Sequence, residues 1–202
     1  MSPSLLSSKS PNEKRFIILT IIAAIITSIS GVLLHFAYDF TGSNAIVGLF
    51  APVNESTWEH LKLLFFPMLI CLIIMYPLAH MGGIDSSTTA ADYLRGIAAG
   101  TVTGAASIVI LFYFVTGLTG QNIGWLNIAI YFISVIIGYL IFYGNATESF
   151  SLTNRSYVTS PKLSILLSLL ILLIITACFF LFTFMTPECV LFLDPVTMTY
   201  GI

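Results

Sequence analysis

Charge of either sign is scarce in this chain: seven Lys and Arg and nine Asp and Glu in 202 residues, 8% in all, where soluble domains carry about 25%. So little charge excludes an ordinary water-soluble domain. A net charge of -2 with no basic cluster also excludes an electrostatic nucleic-acid binder, and no nucleic-acid partner is expected. Three cysteines, Cys71, Cys178 and Cys189, imply no disulfide framework. The chain has no His-Glu-x-x-His, no Gly-x-Ser-x-Gly, no phosphate loop and no internal repeat, so neither a stock mechanism nor an inverted-repeat transporter can be read from it.

Apolar residues fill the space instead, at 57% of the chain with a mean hydropathy of +1.00. A helix needs about 20 apolar residues to cross roughly 30 Å of hydrocarbon. Five stretches are long enough, at 16–38, 58–80, 96–118, 123–143 and 163–185. The predicted class is therefore all-α, a polytopic membrane helix bundle forming a single integral membrane domain over 1–202. The first stretch follows Lys14 and Arg15 and is too long for the 7–15 residue core of a secretory signal, so it reads as a retained signal anchor.

Lys and Arg concentrate in cytoplasmic loops near span ends. Lys9, Lys14, Arg15, Arg95, Arg155 and Lys162 all fall on one side of the predicted bundle, and only Lys62 falls on the other. The expected N-terminus is therefore inside, with 1–15 as a cytoplasmic tail, and 186–202 is an outer C-terminal tail. Of the sequons at Asn54, Asn145 and Asn154, the last two lie in expected inner loops, out of reach of glycosylation. Gly96, Gly100 and Gly104 form a small-residue stripe in the third span, expected to pack within the bundle. Pro67 and Pro77 interrupt the hydrogen bonding of the second and favour a kink there.

The scarce charge then collects at the outer end of the bundle. "FAPVNESTWEHLKLLFFP" puts Glu55, Glu59, His60 and Lys62 at the lip of the second span. His35 and Asp39 close the first span at helical i, i+4 spacing, which suits a carboxylate orienting an imidazole or two ligands of one ion. The segment 44–53 is apolar and too short to cross, so it is expected to be interfacial or re-entrant, lining a pocket. Ser56 and Glu59 match a capping box, the helix dipole favours Glu55, and Lys62 can pair with Glu59 and snorkel. Those structural readings leave His60 unexplained, and ionisable groups at membrane depth usually mark a site. The tail adds Asp194 and Tyr200 after an apolar run, and can fold back as a lid.

"PVNESTWEHLKLLFFP" and the closing "DPVTMTYGI" resemble signatures of a family of small uncharacterised bacterial membrane proteins, a domain of unknown function. The resemblance covers the chain from the first span to Ile202. It implies a bacterial cell membrane setting and nothing about substrate.

Two functions fit these residues. One is an outward-facing hydrolase or transferase acting on an amphiphile that enters from lipid. His35 and His60, with Asp39 or with one or two of Glu55, Glu59 and Asp194, would hold a divalent metal such as zinc. Of the remaining groups, Glu55 or Glu59 would be the general base, and Lys62 or Tyr200 would stabilise the developing anion. The other is a non-enzymatic ligand- or ion-binding subunit or transport component using the same pocket.

Overall fold

The computed structural model describes residues 11–81, 89–147 and 160–202. Lys9, Arg155, Asn154 and the middles of two polar connections lie outside the described residues. Helices are α1 (Pro11–His35), α2 (Ala37–Phe40), α3 (Ala45–Gly48), α4 (Thr57–His60), α5 (Lys62–Met81), α6 (Ala90–Thr119), α7 (Gly124–Ala146) and α8 (Pro161–Phe184), followed by a 3-10 turn at Val190–Phe192. Among the described residues no strand forms, only an isolated antiparallel bridge between Leu193 and Tyr200. Five spans are long and apolar enough to cross a membrane. α4 and α5 make one of them, because Leu61 between them keeps right-handed helical geometry.

Local chemistry sets the ends. Ser160 caps α8 by accepting from the Leu163 amide, with Pro161 in the first turn, where its missing N–H costs nothing. Thr89 and Asp92 form a reciprocal capping box on α6, and Gly120 ends that helix in left-handed geometry at φ 66°. These polar turns extend α6 and α8 beyond their hydrophobic runs. α5 continues as helix through both Pro67 and Pro77.

α5 is the centre of the bundle. Its Leu64, Phe65, Met68 and Leu72 are fully buried, whereas α1 and α8 turn rows of Ile and Leu outward, as spans bordered by lipid must. The glycine stripe faces α7: a Cβ on Gly100 would lie 2.7 Å from the Gly138 carbonyl, and one on Gly96 would lie 2.9 Å from that of Phe142. Helix backbones approach this closely only where no side chain intervenes. Gly31 does the same for α1, since a Cβ there would overlap the Tyr131 hydroxyl. That hydroxyl donates to the Thr27 carbonyl at 3.0 Å, and Tyr139 shares a 2.7 Å hydrogen bond with the Thr27 hydroxyl. Two tyrosines of α7 therefore tie it to α1.

The segment joining α1 to α4 folds against the bundle. Phe50 meets Phe66 and Phe180 edge to face, with ring centroids 5.1 and 5.3 Å apart, and Ala51 is fully buried. The tail returns to the same end of the bundle, where Phe192 packs on Trp58 at 4.9 Å.

Candidate metal centre

Three short-range devices bring ligands together at this end. α1 stops at His35, because Phe36 turns to φ -96°, ψ -5° and its amide bonds Leu33 rather than continuing the α-helical ladder. That turn breaks the i, i+4 register expected for His35 and Asp39, and Asp39 lies exposed on α2. Next, Asn54 Oδ1 accepts from the Ser56 amide at 3.0 Å, an Asx turn that re-aims the chain just before α4. Glu55 sits inside that turn. Finally, Ser56 caps α4, and its carbonyl lies 2.8 Å from His60 Nδ1. A carbonyl only accepts, so Nδ1 carries a proton and Nε2 turns outward, donating to Glu55 when the ring is protonated and offering its lone pair to an ion when it is neutral.

The result is a triangle of donor atoms. His60 Nε2 lies 3.3 Å from His35 Nε2, Glu55 Oε2 lies 3.3 Å from His60 Nε2, and Glu55 Oε2 lies 3.8 Å from His35 Nε2. Three points so spaced share a centre about 2.0 Å from each, and zinc bonds to His nitrogen and carboxylate oxygen are about 2.0–2.2 Å. The three groups are recognisable as a possible ion site from side-chain geometry alone. The His60 hydrogen bond holds the Glu55 carboxyl below its ordinary range against its partial burial, helped by the His60 and His35 charges. His₂Glu is a donor set used by catalytic zinc, with a fourth position left open. The tie from His60 Nδ1 to Ser56 is the outer contact that commonly orients a ligating imidazole.

Glu55 and His60 open onto a cavity of about 120 Å³ between α5, α6, α7 and the tail. Its lining includes Asn122, Asn127, Tyr131 and, from the tail, Pro195 and Val196. Asn127 donates to Asn122 Oδ1 at 2.7 Å.

The remaining candidates are placed elsewhere. Glu59 and Lys62 do not line this cavity. Lys62 is fully buried, and Nζ donates to Glu59 Oε2 at 2.5 Å, Thr183 Oγ1 at 2.7 Å and the Gly48 carbonyl at 2.8 Å. Glu59 also accepts from the Val53 amide at 3.0 Å. Three ammonium donors thus meet three acceptors, knotting α3, α4 and α8 together with no N–H left for a substrate. Lys62 does not snorkel, because burial with full pairing replaces water. Asp194 is buried but turns inward on its own loop. Burial raises its carboxyl pKa, but hydrogen bonds from the Val196 and Thr197 amides, the Thr197 hydroxyl and the Glu55 amide outweigh it and hold the pKa below its ordinary value. Asp194 therefore braces the backbone of Glu55 from the outer layer. Tyr200 pairs with Leu193 across the tail's bridge, and Asn54 Nδ2 donates to the Gly201 carbonyl at 2.9 Å.

The Ser56 carbonyl, Asn122, Asn127 and Tyr131 were not singled out from the sequence, and Asn54 stood out only as a sequon. The Asn-x-Ser order at 54–56 carries an Asx-turn signal, while nothing in its apolar surroundings marks Tyr131.

No curated protein and no solved structure matches the chain. A family described as Family of unknown function (DUF6512) matches residues 6–202, nearly the whole chain, and the protein belongs to that family.

Proposed function

We propose that this protein is an outward-facing, metal-dependent hydrolase or transferase of a bacterial cell membrane, acting on an amphiphilic substrate. His35, Glu55 and His60 hold a zinc-type ion. The observation that carries the reading is the donor triangle with sides of 3.3, 3.3 and 3.8 Å. Glu55 thereby becomes the third ligand rather than a free base. An ion held by three protein groups keeps a position for water, whose pKa it lowers to about 7, and polarises a carbonyl or phosphoryl oxygen. The Asn127 and Tyr131 side chains line the space where the reacting group would sit. The outward orientation rests on the placement of the basic residues.

Metal analysis of the detergent-purified, zinc-reconstituted protein tests this. One ion per chain is expected, lost in His35→Ala and in His60→Ala, with cleavage of or transfer from a phospholipid in vesicles only when the ion is present. No stoichiometric ion, and no change in melting temperature with zinc, would refute the centre. The small, tail-covered cavity favours a second reading, a binding or transport component in which the ion holds a ligand without turnover. Stoichiometric metal with no turnover on any amphiphile presented would favour it.

A further inference from the structure

α1 and α7 touch at one end through Thr27, Tyr131 and Tyr139 and at the other through Phe16 on Phe142 and Tyr143, and between them border a half-open groove of about 720 Å³. Its walls follow helical rows. On α1, every fourth residue from Ile17 to Ile29 makes one lip, and on α7 Phe132, Ile136 and Leu140 make the other. The lips are exposed from Ile21 onward and all along α7, whereas the floor, Thr20, Ala24 and Ser28 against Val135 and Tyr139, lies deeper. Each row runs along its own helix because residues four apart share a helix face. The spacing therefore builds a straight trough.

The floor asks for nothing polar. Thr20 and Ser28 return their hydroxyls to the carbonyls of Phe16 and Ala24, and the Tyr139 hydroxyl is taken by Thr27. Its natural occupant is hydrocarbon. From Ile17 to Ile29 the trough is about 18 Å long at 1.5 Å per residue, longer than the roughly 15 Å that half of a 30 Å core provides. Its upper end stops beneath Tyr131, whose hydroxyl is bonded to α1 and whose ring lines the cavity of Glu55 and His60. Tyr131 touches both, bonding the Ser28 carbonyl at the trough's end at 3.4 Å and lining the cavity of Glu55 and His60.

We propose that this trough seats the chain of a long-chain amphiphile whose polar end is presented at the His35–Glu55–His60 centre, past Tyr131. This rests on the metal-centre reading, and it adds the substrate class: a lipid with a chain longer than one leaflet holds. His35 lies about 9 Å further along α1 than Ile29, so a short chain anchored at the ion cannot fill the trough.

The test uses the full chain in detergent with two photoactivatable alkyl phosphates, one long-chain and one short-chain, and maps the cross-links by mass spectrometry. Expected is saturable labelling of α1 and α7 peptides by the long probe, at least tenfold above the short one. Ala24→Phe and, independently, Ser28→Phe fill the floor and should abolish labelling while leaving zinc content unchanged. Labelling spread evenly over the lipid-facing helices, or persisting in both folded variants, would overturn the proposal. Saturable trough labelling in a wild type that holds no zinc would uphold the chain seat and overturn the metal-centre reading instead.

Discussion

His60 meets His35 edge to face, ring centroids 5.1 Å apart at 76°, with Nε2 facing Nε2. Two lone pairs cannot face each other unless something positive lies between them: a proton on one ring, or an ion shared by both. The Glu55 carboxylate beside them suits either, and the third side it adds makes the ion geometrically complete.

If one ion couples the pair, the two histidines will not act independently. His35→Ala and His60→Ala should each remove the stabilisation that zinc gives, about 2.7 kcal/mol at a hundredfold excess over Kd, and the double variant should remove no more. Thermal melts with and without zinc give the cycle. Additive losses would point to two separate hydrogen bonds.

The Lys62–Glu59 pair should behave as buried structure. Lys62→Ala strands a buried carboxylate and should cost about 3–5 kcal/mol, while Lys62→Met combined with Glu59→Leu should recover part of that. Bound zinc should persist in any variant that folds. Loss of zinc in a folded Lys62 variant would place the lysine in the site after all.

Gly100→Leu should destabilise the bundle by about 1–3 kcal/mol or more through overpacking, as the Gly138 carbonyl stands 2.7 Å from the new Cβ. Gly117 has nothing within 4 Å, so Gly117→Leu serves as the control and should be nearly neutral. Equal effects would mean that α6 and α7 do not pack this way.

Asp194→Asn replaces a carboxylate acceptor by a weaker amide, with hydrogen bonds to a charged group worth about 1.5–3 kcal/mol each. The tail should loosen, exposing Trp58 beneath Phe192 and weakening zinc binding severalfold through Glu55. Trp58 fluorescence in a Trp125→Phe background reads the first effect and zinc titration the second. An unmoved spectrum would mean that the aromatic contacts alone hold the tail.

Orientation has its own probe in Cys189, which is exposed on the tail. A membrane-impermeant thiol reagent on intact cells should label it and spare Cys71 and Cys178. Labelling only after the membrane is opened would turn the centre to the cytoplasmic side.

The spans were legible because hydrophobic length is a property of composition, while their ends moved where capping turns added polar residues to α6 and α8 and where the Phe36 turn stopped α1 at His35. The site was legible as a neighbourhood: scarce ionisable groups at one level, His35 and His60 among them. Which carboxylate joins the histidines was not. Helical spacing favoured Asp39 until Phe36 broke the register, and it left Glu59 and Glu55 undistinguished until Lys62 took Glu59 into the interior. Glu55 lies in a turn, where direction depends on backbone angles that spacing does not encode. Tyr131 was invisible because its role comes from Gly31, distant in sequence, leaving room for its hydroxyl.

All three donor groups come from residues 35 to 60, whereas Pro195 and Val196, which line the cavity that Glu55 and His60 open onto, come near the end of the chain. Proteins are made from the N-terminus at about 5–20 residues per second, so the first helical hairpin exists before the tail does. During biogenesis the donor set stands without the tail for several seconds, so the proposed ion could enter before the chain is complete. In the finished protein the Glu55 side chain stays 47% exposed and that of His35 32%, so the donor set remains within reach of solvent with the tail in place, and an ion stripped from it could be restored without unfolding.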